Sequence, residues 1–87
     1  MSFEEITCKI VKIYRLPEGN RIKAFVDINI NDALIIKGLR VVDGKKGIFV
    51  SMPSEQGKND RWYEKVRCIN KKMKNEINRK VLEAIRK

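Results

Sequence analysis

The sequence contains no histidine, only two cysteines and two prolines, and a single tryptophan among its 87 residues. Without histidine the commonest general base is missing. Cys8 and Cys68 cannot by themselves complete a four-ligand zinc site, which leaves a site shared between chains as the one route to such a metal. Buried, reduced thiols are the expected state. No apolar run approaches the ~20 residues of a membrane span. The opening Met1-Ser2-Phe3-Glu4-Glu5 lacks the basic start of a signal peptide, so a cytoplasmic location is expected. A phosphate-cradling loop is missing too. Gly44-Lys45-Lys46-Gly47 has neither the Gly-Lys-Ser/Thr context nor a following helix. Asp27, Asp32 and Asp43 are each accounted for by a turn or a solvent-facing strand position. Neither an enzyme nor a cofactor or small-molecule substrate is expected.

What the chain has in excess is positive charge. Twenty Lys and Arg against eleven Asp and Glu give +9. Residues 58–87 hold eleven basic and four acidic side chains, a net of +7, and residues 1–57 hold nine and seven, a net of +2. A cationic final third points to a polyanionic partner, most simply DNA or RNA. A solvated lysine-rich helix face serving solubility is the plainer reading, and charge alone does not separate the two.

Periodicity gives the elements. Ile6 to Tyr14 reads as a strand with Ile6, Cys8 and Ile10 on one face and Val11 and Ile13 on the other. Leu16 to Asn20 is a turn, and Ile22 to Ile30 alternates cleanly. A two-residue Asn31-Asp32 turn would set Ile35 opposite Ile28 and Leu39 opposite Ala24. Around Asp43 to Lys46 a hairpin would set Val41 opposite Ile48, Leu39 opposite Val50 and Arg40 opposite Phe49. Pro53 should end pairing near Met52. Both turns assign one apolar face to Ile22, Ile28, Ile35, Leu39, Val41, Ile48 and Val50. The other face is not plainly polar, since Phe25, opposite Gly38, shares it with Leu34, Ile36, Val42 and Phe49. One helix covers one sheet face, so a second apolar patch asks for a second cover. Phe25, Leu34, Ile36 and Phe49 are therefore the candidate dimer interface, the alternative being that Arg61 to Ile69 folds back over them.

After Pro53 a polar loop runs to Asp60, and Arg61 to Arg67 alternates weakly as a short edge strand. Trp62 and Tyr63 could stack bases, although Trp62 reads better as a core anchor. Asn70 is a candidate N-cap for a helix over Lys71 to Arg86. Met73, Ile77, Val81, Ala84 and Ile85 form its apolar stripe, with Leu82 at the edge. Lys80, Arg86 and Lys87 suit the negative end of the helix dipole, whereas Lys71, Lys72 and Lys74 oppose the positive end. Those three, with Arg61, Lys65 and Arg67 and secondarily Arg40, are the candidate nucleic-acid ligands.

The block Gly38-Leu-Arg-Val-Val-Asp-Gly followed by Gly47-Ile-Phe-Val-Ser-Met-Pro-Ser54 resembles the signature of SpoVG, the stage V sporulation protein G family of bacterial septation regulators. The resemblance extends from the first strand to Asn70 and the terminal helix. It implies a dimeric, sequence-tolerant DNA- and RNA-binding regulator of gene expression and cell division, with sporulation as a further process. Two departures stand out. Glu55-Gln56 takes the place of a basic pair, and Arg67-Cys68-Ile69-Asn70 that of His-Pro-Ile-Asn. The loop thus lacks the family's charge, while Arg67 adds charge beside the helix. The expected fold is α+β: one domain over residues 1–87, a twisted antiparallel β-meander of four to five strands (about 5–67) and one C-terminal α-helix (about 70–86). The competing function is a protein–protein adaptor working through an apolar sheet face or edge.

Overall fold

The computed structural model describes residues 7–86. Four antiparallel strands, β1 (Cys8–Arg15), β2 (Ile22–Ile30), β3 (Leu34–Gly44) and β4 (Gly47–Ser51), form a meander in sequence order. Two short strands, β5 (Ser54–Gln56) and β6 (Trp62–Glu64), pair as a separate ribbon, and α1 (Lys71–Arg86) ends the chain. This is the expected α+β meander with a C-terminal helix. Ile6, expected to open the first strand, and Lys87 lie outside the described residues. Of the segment 54–67, read as a loop and an edge strand, residues 54–64 form a hairpin of their own.

The helix forms where capping and periodicity agree. Asn70 accepts the Met73 N–H on its side-chain oxygen at 3.0 Å, satisfying one of the orphan donors of the first turn. Met73, Ile77 and Val81 are buried against Cys8, Ala24, Val26, Ile28, Leu39 and Val41. Touching both β1 and β4, the helix crosses the full width of the sheet. Arg15 donates to the carbonyls of Ile85 at 3.2 Å and Ala84 at 3.5 Å, filling acceptors that the last turn leaves open.

The alternation and registers read from the sequence fail in several places, three of them with a local cause in the structure. In β1, Ile10 pairs with Ile28 but Lys12 with Asp27, so Val11 is an extra residue. This bulge turns Ile13 to the same side as Ile10, and both pack against the core while Val11 is exposed. In β3, Ile36 pairs with Ile28 and Leu39 with Val26, leaving Lys37 and Gly38 opposite Asp27 alone. Gly38 adopts φ +83° and its N–H donates to the buried Asp27 carboxylate at 3.0 Å. The β2–β3 connection takes three residues, not two: Asn31 and Asp32 both adopt positive φ, and Leu34 pairs with Ile30. Ile28 therefore faces Ile36, Leu39 faces Val26, and Ile35 is exposed.

The β3–β4 hairpin closes through Lys45-Lys46 between paired Gly44 and Gly47, the latter at φ +124°. Its register differs by two from the expected one: Val41 faces Val50, Arg40 faces Ser51 and Val42 faces Phe49. A shift of two preserves faces, so Leu39, Val41 and Val50 still point to the core. Ile48, expected with them, is paired with Asp43 next to the turn and is exposed. Strand pairing stops at Ser51, ahead of Pro53.

The bulge at Gly38 also divides the expected dimer patch. Phe25, which faces Arg40 and not Gly38, lies on the helix-free face, as does Phe49. Leu34 and Ile36, ahead of the bulge, point to the helix side instead. There, with Ile30, Met52, Val66, Cys68 and Ile69, they border an apolar cleft under the first turns of α1.

If the Asp27–Gly38 contact sets the register, its two halves should fail separately. Removing the acceptor in Asp27→Ala strands a buried N–H and should lower unfolding free energy by about 1–3 kcal/mol. In Gly38→Ala the added Cβ meets nothing within 4 Å, so the cost is the left-handed backbone alone, about 1–2 kcal/mol. Urea titrations in which both variants unfold like the parent would contradict the role given to this bond.

Candidate nucleic-acid interface

The first turn of α1 carries Lys71, Lys72 and Lys74, all exposed, and no acidic residue. Among the described residues none of the three sits in an ion pair. Three like charges at the positive end of a helix dipole repel one another and the dipole. An anion relieves both. Further along the helix the charge is answered locally: Arg79 bridges Glu76 at 2.6 Å and Glu83 at 3.1 Å. Those hydrogen bonds, that to Glu76 above all, hold its guanidinium protonation above the ordinary range.

The other sequence candidates are placed differently. Lys65 meets Glu55 at 2.9 Å and Arg67 meets Glu64 at 2.9 Å. All four side chains are largely solvated, so each pair is worth about 0–1 kcal/mol and yields readily to a phosphate. Glu55 is thus answered by Lys65. Arg61 is exposed without a carboxylate partner among the described residues. Among the described residues no ion pair joins these side chains to the three helix lysines.

Arg40 is half-buried and occupied. Its guanidinium lies 4.8 Å from the centre of the Trp62 ring and donates to the Ser54 carbonyl at 3.4 Å. Trp62, expected in the core, is 57 % exposed and lies over this cation on the helix-free face. The segment after Pro53 thus reaches back to that face through Trp62. Beyond β6 it passes to the helix side, where Val66 and Cys68 border the apolar cleft. Tyr63 is half-exposed, and its hydroxyl donates to the Asn59 side-chain oxygen at 3.2 Å.

Sequence reading missed Lys12 and Tyr14, whose ammonium and ring stand 5.6 Å apart. Tyr14 lies directly across from Phe25, and Phe25 from Arg40. The two-residue spacing of Lys12 and Tyr14 was the available signal, hidden by the Val11 bulge that moved them onto this face. The thiols offer little chemistry. Burial pushes the Cys8 thiol above its ordinary range, Glu76 adds to this and Lys80 opposes it. Cys68 contacts the Asn70 carbonyl at 3.3 Å, and neither cysteine is in a disulfide. No group of three potential metal ligands is found among the described residues. No described helix is long and apolar enough to cross a membrane.

A family model described as SpoVG matches residues 5–87 of the chain. A protein of Fusobacterium nucleatum named "Putative septation protein SpoVG" is 36% identical over 64 residues, covering 74% of this chain and 69% of that protein. Proteins of the same name from Desulforudis audaxviator and Archaeoglobus fulgidus are 32% and 31% identical over 74 residues. Those two alignments each cover 85% of this chain, and 84% and 87% of the respective relatives.

Trp62 reports on its own placement, being the sole tryptophan. Its emission should be that of a solvated indole and should be quenched efficiently by iodide, an anion drawn by Arg40, with Arg40→Gln reducing iodide but not acrylamide quenching. A blue-shifted emission insensitive to both quenchers would return the ring to the core.

Proposed function

Because this chain belongs to the SpoVG family, we propose that it is a cytoplasmic nucleic-acid-binding regulator of gene expression and septation, holding the phosphate backbone through the basic residues of its last third. The observation that carries this reading is the first turn of α1, where Lys71, Lys72 and Lys74 stand exposed with no acidic residue among them. Local structure offers these lysines nothing. Arg61 adds an unpaired charge, and Lys65 and Arg67 add charges that solvated carboxylates hold only weakly. The relatives' septation-protein names support the process and are silent on the ligand.

Filter binding across a salt series tests the reading. On duplex DNA, log K should fall with log salt by roughly 0.9 for every phosphate contacted, because each contact releases condensed counterions. Replacing Lys71, Lys72 and Lys74 by Glu should abolish binding and flatten the slope. Acidic residues in that turn suit the dipole, so the melting temperature should hold. Intact melting with undiminished binding would move the contact surface away from the helix.

The protein acts, on this proposal, as a homodimer, and the apolar cleft bordered by Leu34, Ile36 and Ile69 is the surface offered to the second copy. Leu34 is 57 % and Ile69 92 % exposed, an unusual amount of aliphatic surface for two neighbouring side chains to leave in water. Light scattering at tens of micromolar should give about twice the 10.2 kDa chain mass, and Leu34→Lys with Ile69→Lys should give the chain mass itself. A monomeric parent would overturn the dimer. The same cleft is what favours an adaptor, and salt separates the two, since apolar association hardly responds to it.

A further inference from the structure

We propose that the helix-free face of the sheet is a stacking platform for the unpaired bases of single-stranded nucleic acid. The proposal rests on the nucleic-acid reading above and adds where, and in what form, the strand is held. The helix covers one side of the sheet, and the other is left with rings and cations. Tyr14, Phe25 and Arg40 stand directly across from one another on β1, β2 and β3, and side chains so paired lie about 4.5–5.5 Å apart. Lys12 lies against Tyr14 at one end of this row. At the other, Trp62 lies over Arg40, and farther along the same face Phe49 on β4, across from Val42, lies over Gly44.

Three of these aromatic residues are about half exposed: Tyr14 and Phe49 at 49 % and Trp62 at 57 %. Aromatic rings beside cations are what an unstacked base and its phosphate require. Duplex DNA hides its base faces within the stack, so the platform favours single strands.

A second copy of the chain fits this face poorly. Face-to-face packing would bring Lys12 and Arg40 of both protomers together. Of the strand carboxylates, Asp27 is buried and already accepts the Gly38 N–H, and Glu55 and Glu64 of the ribbon are taken by Lys65 and Arg67. Uncompensated cations inside an interface are costly, whereas a polyanion supplies the missing charge. Charge complementarity therefore selects the strand.

The test uses Tyr14→Leu with Phe49→Leu, which keeps apolar bulk and removes the π faces, together with Tyr14→Phe as a conservative control. Binding is measured on a twelve-residue oligothymidylate and on a blunt twelve-base-pair duplex at the same salt, and Trp62 emission is followed throughout. Oligothymidylate should quench Trp62, and the double leucine variant should lose roughly tenfold or more in single-strand affinity for each ring removed. Duplex affinity should be unchanged, and Tyr14→Phe should bind like the parent. Equal loss on both substrates, or no loss on the single strand while the duplex still binds through the helix lysines, would overturn the platform and leave the broader reading standing. A parent protein that binds neither substrate at low salt would remove both. If the leucine variant changes oligomeric state in light scattering, the face belongs to a second copy and the proposal fails.

Discussion

The sheet depends on one hydrogen bond near its middle, from the Gly38 N–H to the Asp27 carboxylate. Asp27 sits where both neighbouring strands carry an extra residue: Val11 on one side, Lys37 and Gly38 on the other. A bulge leaves a backbone group without its ladder partner. Here a side chain from the intervening strand takes that group, which lets the strands kink at the same level without orphaning a buried donor. The result reaches well beyond the bond. Ile10 with Ile13, and Ile36 with Leu39, are spaced three apart and yet share the core face. Tyr14, Phe25 and Arg40 are brought into one row on the other face.

The same bond marks where sequence reading stopped working. The fold class, the span of β2 and the bounds and cap of α1 were legible, because each is written in a local period or a local capping residue. The SpoVG block was legible as a motif. Registers were not. A Gly in a strand hints at a bulge, but nothing in Lys37-Gly38 says that the neighbouring strand will answer with a carboxylate. Strict alternation then carried Leu34 and Ile36 to the wrong side, and with them half of the expected dimer patch. Trp62 was misjudged for a different reason. Its partner Arg40 lies across a tertiary contact between two separate sheets, and no local pattern announces a cation that will lie against an indole.

Charge shows a comparable split between what neighbours settle and what they leave open. In the distal helix and after β6, carboxylates three or four positions away, or across a short ribbon, answer Arg79, Arg67 and Lys65. The first helical turn has no such answer. A composition count cannot distinguish these regions, since both contribute to the same excess. The ion pairs do: among the described residues Lys71, Lys72 and Lys74 have none, which leaves their charge at the helix N-terminus unanswered.

The Arg15 contact to the carbonyls of Ala84 and Ile85 bears on the order in which the molecule assembles. Every strand pair in the meander joins neighbours in sequence through short connections, so the sheet can zip from local contacts without closing a large loop. The helix alone must return to the first strand, and Arg15 and Ile85 stand seventy positions apart. Closure entropy grows only with the logarithm of loop length, and after the sheet has formed most of that loop is already fixed. Helix docking, in which Met73, Ile77 and Val81 enter the core and Arg15 meets the final turn, is the step that joins the first strand to the end of the helix. A chain paused before that step would present an open, apolar sheet face to its neighbours, and this is the moment of its life at which it is most prone to aggregate.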